Sequence, residues 1–424
     1  MIRRDYYLNR LIHNMWNGEI KVITGIRRCG KSVLLFDLFY NYLLEQNIPE
    51  NHIIKIELDQ RRYYKFRNPI TLCEYIEKTL YDHKEEQYYL LVDEVQFTTT
   101  VPDKENNGIN VSIYDMLNEL KSYKNLDVYV TGSNSRMLSK DIATEFRGRA
   151  TSIHIYPLSF EEYYSYVGGE EKTAFDQFML YGGMPKIALM SEETDKKTYL
   201  KNLYEELYIK DIVERNNLKR EDILNNVLDY VASQIGSLTN PTNIANALIS
   251  MNHENTNSKI ISDYLSHAMD SFLINQAKRY DVKGKTYFNY PYKYYYTDIG
   301  LRNARLNYRQ YDPGHIMENI IYNELIKRGY SVDVGQITER KGNEKISREI
   351  DFVVNDGDRR IYIQSAWQMD TDQKEYAELK PLHLTGDFFK KIIIRMDIPH
   401  NFYDTNGFFH CNLMDFLLNK IDLF

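Results

Sequence analysis

Gly25-Ile26-Arg27-Arg28-Cys29-Gly30-Lys31-Ser32 carries every fixed position of the pattern G-x-x-x-x-G-K-[ST]. The two glycines let the backbone wind tightly with its N–H groups turned inward, which suits the oxygens of a phosphate chain. At this spacing Lys31 brings a cation to β- and γ-phosphates, and the Ser32 hydroxyl offers a ligand to Mg²⁺. Gly25, Arg27, Arg28, Cys29, Gly30, Lys31, Ser32 and Val33 are therefore the candidate binding residues, with ATP and Mg²⁺ the expected ligands. The context agrees. A β-rich run, Glu19–Thr24, comes before the loop, and an apolar helical pattern, Val33-Leu34-Leu35-Phe36, comes after it. The helix N-terminus adds partial positive charge beside the phosphates.

A second constellation follows at Tyr88-Tyr89-Leu90-Leu91-Val92-Asp93-Glu94, an apolar strand ending in two carboxylates. Asp93 is expected to hold Mg²⁺, mainly through water. Glu94 is expected to polarise the attacking water, a role that phosphoryl transfer to water requires. Further on, Asp127–Thr131 runs into Gly132-Ser133-Asn134-Ser135. Ser133 or Asn134 is placed to orient the water or read the γ-phosphate; a plain strand-to-helix turn capped by Ser135 is the alternative. Phe146-Arg147-Gly148-Arg149 supplies arginines near the same end of the sheet. Arg149 is the candidate arginine finger, or else a partner for surface acids.

Elements must hold these residues together. Short runs at Glu19–Thr24, Ile53–Leu58, Tyr88–Val92, Asp127–Thr131 and Ser152–Tyr156 alternate with helical patterns. That alternation predicts an α/β fold with a parallel sheet covered on both faces. Pro157 ends the sheet-forming segment. From Phe160 to about Arg220 the pattern is helical and charged, broken at Tyr181-Gly182-Gly183-Met184-Pro185. Helices are then expected at Asp222–Ile235, Thr242–Ser250 and Ser258–Phe272. Two extended runs follow, Gln276–Val282 and Lys285–Thr297, turning at Lys283-Gly284. Three helices and a hairpin spell a winged helix-turn-helix. The remainder reads as α/β: a helix over His315–Arg328 ending at Gly329, then strands at Tyr330–Val334, Glu349–Val354, Arg360–Gln364 and Lys391–Arg395.

Bulk properties exclude several classes. The 424 residues carry a formal net charge of −7, so contact with nucleic acid would have to come from a local patch. The three cysteines, Cys29, Cys73 and Cys411, are too few and too scattered for a disulfide framework or a zinc site. No run approaches the roughly 18 apolar residues of a membrane span, and the N-terminus lacks a signal-like apolar stretch. The expected location is the cytoplasm, away from membranes.

Taken together, the chain resembles the prokaryotic AAA-type P-loop ATPases whose loop reads GxRRxGKS and which carry a C-terminal domain of unknown function. The marks are Gly25–Ser32, Leu91-Val92-Asp93-Glu94-Val95-Gln96, Thr131-Gly132-Ser133-Asn134-Ser135, and Gly148-Arg149 leading to Tyr156-Pro157-Leu158-Ser159-Phe160. Tyr181-Gly182-Gly183-Met184-Pro185, Tyr295-Tyr296-Thr297-Asp298-Ile299-Gly300-Leu301, Glu318-Asn319 and Glu349-Ile350-Asp351-Phe352-Val353 complete the match. The resemblance implies an AAA-type ATPase core over residues 1–165 and a helical lid over 166–221. A winged helix over 222–308 and a restriction-endonuclease-like domain over 309–424 would follow.

Nucleases of that last fold need an acid on the first helix, an Asp at a strand start and Glu-x-Lys on the next strand. Here Glu318 or Glu324 offers the helix acid and Asp351 the strand Asp. Gln364 stands where the second acid belongs, and Ala366 where the lysine belongs. The domain is therefore expected to be catalytically inactive. In the winged helix, Lys259 and His267 share the third helix with Asp263 and Asp270. The hairpin carries Lys278, Arg279, Lys283, Lys285 and Lys293, which are placed to touch a nucleic-acid backbone. The leading expectation is an ATP-hydrolysing switch acting on its C-terminal domains through a protein partner or inter-domain packing. The alternatives are a DNA-associated ATPase and a protein that holds ATP without turnover. Oligomeric state is not legible.

Overall fold

The structure is a computed structural model that describes residues 1–81, 85–103, 108–132, 150–251, 256–342 and 344–424. It divides into two compact units. One is Met1–Pro157 with Asp270–Phe272, and the other is Leu158–Met269 with Leu273–Phe424.

The main sheet of the first unit is built from β1 (Ile20–Thr24), β2 (Ile53–Glu57), β3 (Tyr88–Asp93), β4 (Leu126–Thr131) and β5 (Ala150–His154), with a separate short antiparallel pair at Val101–Pro102 and Asn110–Val111. The main-sheet strands lie in the order β2-β3-β4-β1-β5, all parallel. Parallel strands must be joined by crossovers, which is why helices separate them in the chain. The strand faces alternate. Ile20, Val22, Ile54, Ile56, Leu90, Val92, Val128 and Val130 pack with Leu72, Ile76, Met116 and Leu117 of the helices Pro69–Tyr81 and Ile113–Leu120. The opposite face carries Lys21, Tyr89, Asp93, Asp127, Tyr129 and Thr131. Tyr129 meets Phe39 of the helical run Lys31–Glu45, ring to ring at 4.6 Å, which places the helix after the phosphate loop on this face. Lys21, buried in the interior strand β1, pairs with Asp127 on the neighbouring strand, which opposes the lowering of its pKa by burial. A buried ion of either sign without that partner would be strongly destabilising.

The second unit opens with helices at Phe160–Val167, Glu171–Tyr181 and Pro185–Ala188, and a longer helical run from Glu193 to Asn216. Helices Glu221–Ser233, Pro241–Ser250 and Ser258–Asp270 follow, matching the three expected helices. The hairpin is β6 (Ile274–Asp281) with β7 (Thr286–Tyr296). Beyond the helices Ile299–Arg305 and Pro313–Lys327 come β8 (Ser331–Lys341), β9 (Glu344–Asp356), β10 (Arg359–Ala366), β11 (Lys390–Arg395), β12 (Phe402–Tyr403) and β13 (Phe409–Asn412).

Here the structure differs from the sequence reading. The hairpin is not a free-standing wing. It is one edge of an eight-stranded sheet in the order β12-β13-β11-β10-β9-β8-β6-β7. β6 pairs with β8 in parallel at Arg279, Tyr280 and Asp281, and the Val282 N–H reaches the Gln336 carbonyl at 3.0 Å. An isolated hairpin leaves one backbone edge of each strand unpaired; β8 takes up that edge of β6. The boundary at residue 308 therefore does not separate two sheets.

Candidate functional site

The P-loop leaves the C-terminal end of β1 and turns through Gly25 at φ +144° and Gly30 at φ +99° into the helix that starts at Lys31. A Cβ at Gly25 would stand 2.2 Å from the Ile155 carbonyl oxygen, so only glycine fits against the chain leaving β5. Arg4 braces the loop from outside. Its guanidinium donates to the Cys29 carbonyl at 3.0 Å and to the Tyr156 carbonyl at 2.6 Å, and it lies over the Tyr7 ring. The Tyr7 hydroxyl accepts from the Tyr156 N–H at 3.2 Å. Sequence reading missed this brace; Arg4 lies outside the motif and its signal exists only in three dimensions.

Lys31 is 4% exposed, and its ammonium donates to the carbonyls of Gly25 at 3.0 Å and Ile26 at 3.1 Å. The loop thus holds its own cation at the bend where a phosphate oxygen would be received. Arg27 is half-buried, whereas Arg28 and Val33 are exposed and Cys29 is buried.

Asp93 ends β3, buried, on the same face as the P-loop helix. It accepts from the Thr131 hydroxyl at the end of β4, the strand between β3 and β1, and the Ser32 hydroxyl lies near enough to favour its charged form. Burial pushes the Asp93 carboxyl up to about 6; the Ser32 and Thr131 hydroxyls and the Lys31 charge oppose that shift, and Glu94 adds to it. Thr131 does double duty: its oxygen also accepts from the Glu94 N–H at 3.1 Å. Glu94 itself is half-buried and left-handed, at φ 55° and ψ 52°. A β-unbranched residue tolerates that region at a cost, and such outliers gather at functional sites. The Gln96 side-chain amide donates to the Glu94 carboxylate.

β5 adds one more group. The His154 ring hydrogen-bonds to the Thr24 hydroxyl at 2.8 Å, directly before the P-loop. Burial, with the charges of Lys31 and Arg10, drives its pKa down to about 4, so the imidazole is neutral at pH 7.

The structure therefore brings Gly25, Lys31, Ser32, Asp93 and Glu94 to one end of the sheet and adds Thr131 to them. Ser133, Asn134 and Arg149 lie outside the described residues. The donor set is oxygen only, a hydroxyl and a carboxylate brought near each other, which suits a hard cation such as Mg²⁺. The cradle of inward-turned backbone with its lysine suits phosphate.

Elsewhere, Lys293 is 2% exposed, so it is not available to a nucleic-acid backbone as the hairpin's charge suggested. Lys278, Lys283 and Lys285 remain exposed. No helix among the described residues is long and apolar enough to cross a membrane.

Residues 17–164 match the AAA domain. Residues 172–312 and 313–403 match two domains of unknown function, DUF8612 and DUF4143. The chain is 33% identical over 399 residues to an uncharacterized protein of Haemophilus influenzae, covering 93% of each. It is 27% identical over 395 residues to an uncharacterized protein of Methanocaldococcus jannaschii, covering 88% of this chain and 79% of the other. Among solved structures, the Aeropyrum pernix ORC1 protein in complex with DNA is similar at 10% identity and a TM-score of 0.28, covering 72% of this chain and 93% of that one.

Proposed function

This chain belongs to the family of AAA-type P-loop ATPases, and on that premise we propose that it binds ATP with Mg²⁺, hydrolyses it, and uses the cycle as a switch on its C-terminal unit. The observation that carries the reading is the meeting of the Ser32 hydroxyl, from the phosphate loop, with the Asp93 carboxylate, from the acidic strand. Two segments about sixty residues apart (93 against 32) converge on one point through oxygen donors.

In this reading the loop N–H groups and the Lys31 ammonium receive the phosphate chain, the ammonium leaving the carbonyls of Gly25 and Ile26 to do so. Ser32 and Asp93 would hold Mg²⁺, which would offset the charge of the phosphates. Glu94 accepts a proton from, and so polarises, the attacking water. Gln96 and the Thr131 hydroxyl fix the position of Glu94 from its side chain and its backbone. Ser133, Asn134 and Arg149 are assigned to the γ-phosphate end of the site. The three buried free cysteines are compatible with the cytoplasm. The partner of the C-terminal unit is a protein in this reading. Burial of Lys293 removes one of the charges on which a DNA reading leaned.

The test is direct. Lys31→Ala should abolish binding of a fluorescent ATP analogue; unchanged affinity would place the site elsewhere. Glu94→Gln should keep the nucleotide bound and stall single-turnover hydrolysis, by roughly a hundredfold or more. Near-normal turnover would remove Glu94 from its role. Large stimulation of turnover by duplex DNA would favour the DNA-associated alternative, and no turnover at all a purely structural nucleotide.

A further inference from the structure

Away from the nucleotide site, one lysine sits inside a nest of acids. Lys293, on β7, directs its ammonium to Glu318 at 2.7 Å, Glu349 at 2.7 Å and Asp351 at 3.6 Å. These come from two further elements, the helix Pro313–Lys327 and β9. Glu318 is 6% exposed and Asp351 7%. The Tyr295 hydroxyl donates to Glu318 at 2.6 Å, and the Ser365 N–H donates to Asp351 at 2.8 Å. Gln364, also buried, turns its amide N–H onto Glu378 at 2.8 Å.

Of the two candidate helix acids, Glu324 pairs with Arg328; Glu318, beside Asp351, is the one a metal-dependent nuclease of the resembled fold would use. The residues present do not fit a metal there. An ammonium has three protons to give, and two of its three carboxylate partners, Glu318 and Asp351, are those a metal of the nuclease pattern would need. A divalent ion could reach Glu318 and Asp351 only by displacing an ammonium already within 4 Å of both. Gln364 supplies a neutral amide in place of a third carboxylate, and it is engaged by Glu378. Nor is Lys293 placed as a catalytic lysine, because at 2% exposure it does not face a phosphodiester in solvent.

We propose that the Lys293 ammonium is the resident cation of this carboxylate nest, standing where a divalent metal would stand and tying the hairpin strand to the helix and sheet behind it. The charge chemistry agrees with the distances. Burial alone would lower the Lys293 pKa, yet Glu318, Asp351 and Glu349 hold it well above its ordinary value. Two acids of the nuclease pattern thus serve an internal charge instead of a metal, sharing it with Glu349.

Mn²⁺ binding to the full, nucleotide-free chain tests this, read by the loss of free Mn²⁺ in electron paramagnetic resonance. The natural chain should show no Mn²⁺ uptake that Asp351→Asn removes. Lys293→Met, which keeps the length of the stem, should gain one bound Mn²⁺, and adding Asp351→Asn should abolish it. The melting temperature of Lys293→Met should rise on adding Mn²⁺, while that of the natural chain stays the same. Mn²⁺ bound by the natural chain and lost in Asp351→Asn would overturn the proposal. So would a folded Lys293→Met that gains no Mn²⁺, or Mn²⁺-dependent DNA nicking by the natural chain that Asp351→Asn abolishes. The natural-chain measurements decide the matter even where Lys293→Met does not fold.

Discussion

One hydroxyl joins the two halves of the proposed nucleotide site. Thr131 donates to the Asp93 carboxylate and accepts from the Glu94 N–H, so its single proton and one lone pair are both committed. Thr131→Val keeps the shape and removes both bonds. A hydrogen bond to a charged group contributes about 1.5–3 kcal/mol, so single-turnover hydrolysis should fall roughly ten- to a hundredfold. Thr131→Ser should restore most of it, and nucleotide affinity should change far less than the rate. A Thr131→Val rate equal to that of the natural chain would show that the hydroxyl is only a strand-end cap. The P-loop and the Asp93-Glu94 pair are legible in the sequence because each is contiguous: its chemistry is spelled out in adjacent residues. Thr131 and Arg4 are not legible in this way. The role of Thr131 exists only once β4 is inserted between β3 and β1. That of Arg4 requires the carbonyls of Cys29 and Tyr156, far apart in the chain, to converge on one guanidinium.

At the scale of elements, two further motifs form a joint. Tyr181-Gly182-Gly183-Met184-Pro185 ends one helix, and Asp298 caps the helix Ile299–Arg305 by accepting from the Leu301 N–H at 3.1 Å. The other oxygen of Asp298 accepts from the Gly183 N–H at 2.7 Å. Asn303 adds bonds to the carbonyls of Met179 and Leu180. The two backbones approach so closely that a Cβ at Gly300 would lie 2.0 Å from the Tyr181 carbonyl oxygen. Gly300→Ala should therefore cost about 3 kcal/mol or more, read as a lower urea midpoint for the second unit. An unchanged midpoint would mean that the two segments slide apart freely. Asn319 performs a similar service for the strand: its side chain accepts from the Tyr296 N–H and donates to the Tyr296 carbonyl, both at 2.8 Å, as a neighbouring strand would. The sequence marks these residues as unusual, yet their purpose is packing. The pattern of the hairpin misleads for a related reason. Alternation shows a strand but not its neighbour, so β6 reads equally well as a wing and as a partner for β8.

For the molecule as a whole, the second unit holds carboxyls whose burial is not fully compensated, and its stability should depend on pH. Burial drives the Glu318 carboxyl up to about 7, with Asp351 adding to the shift and Lys293 and Tyr295 opposing it. Glu349 and Glu378 lie in the same region and are themselves raised by burial; Arg279 acts on Glu349, and His315 sits one turn earlier on the same helix. Burial raises Asp298 to about 6. A carboxyl whose folded pKa is raised takes up its proton more readily folded than unfolded. Its contribution is fully present below the unfolded value of about 4.5 and is lost as pH climbs through the folded value near 7. The unit should thus be more stable at pH 5 than at pH 7.5, with a Glu318 share on the order of 2–3 kcal/mol. Glu318→Gln is neutral at both pH values and still offers Lys293 and Tyr295 an oxygen. Denaturant unfolding of the natural chain and of Glu318→Gln at pH 5, 6, 7 and 7.5 reads the difference. The variant should lose the Glu318 part of the slope and keep the part that belongs to Asp298, Glu349 and Glu378. Parallel stability curves for the two proteins would show that Glu318 is ionised throughout, held so by Lys293, and that the nest carries its full negative charge at pH 5.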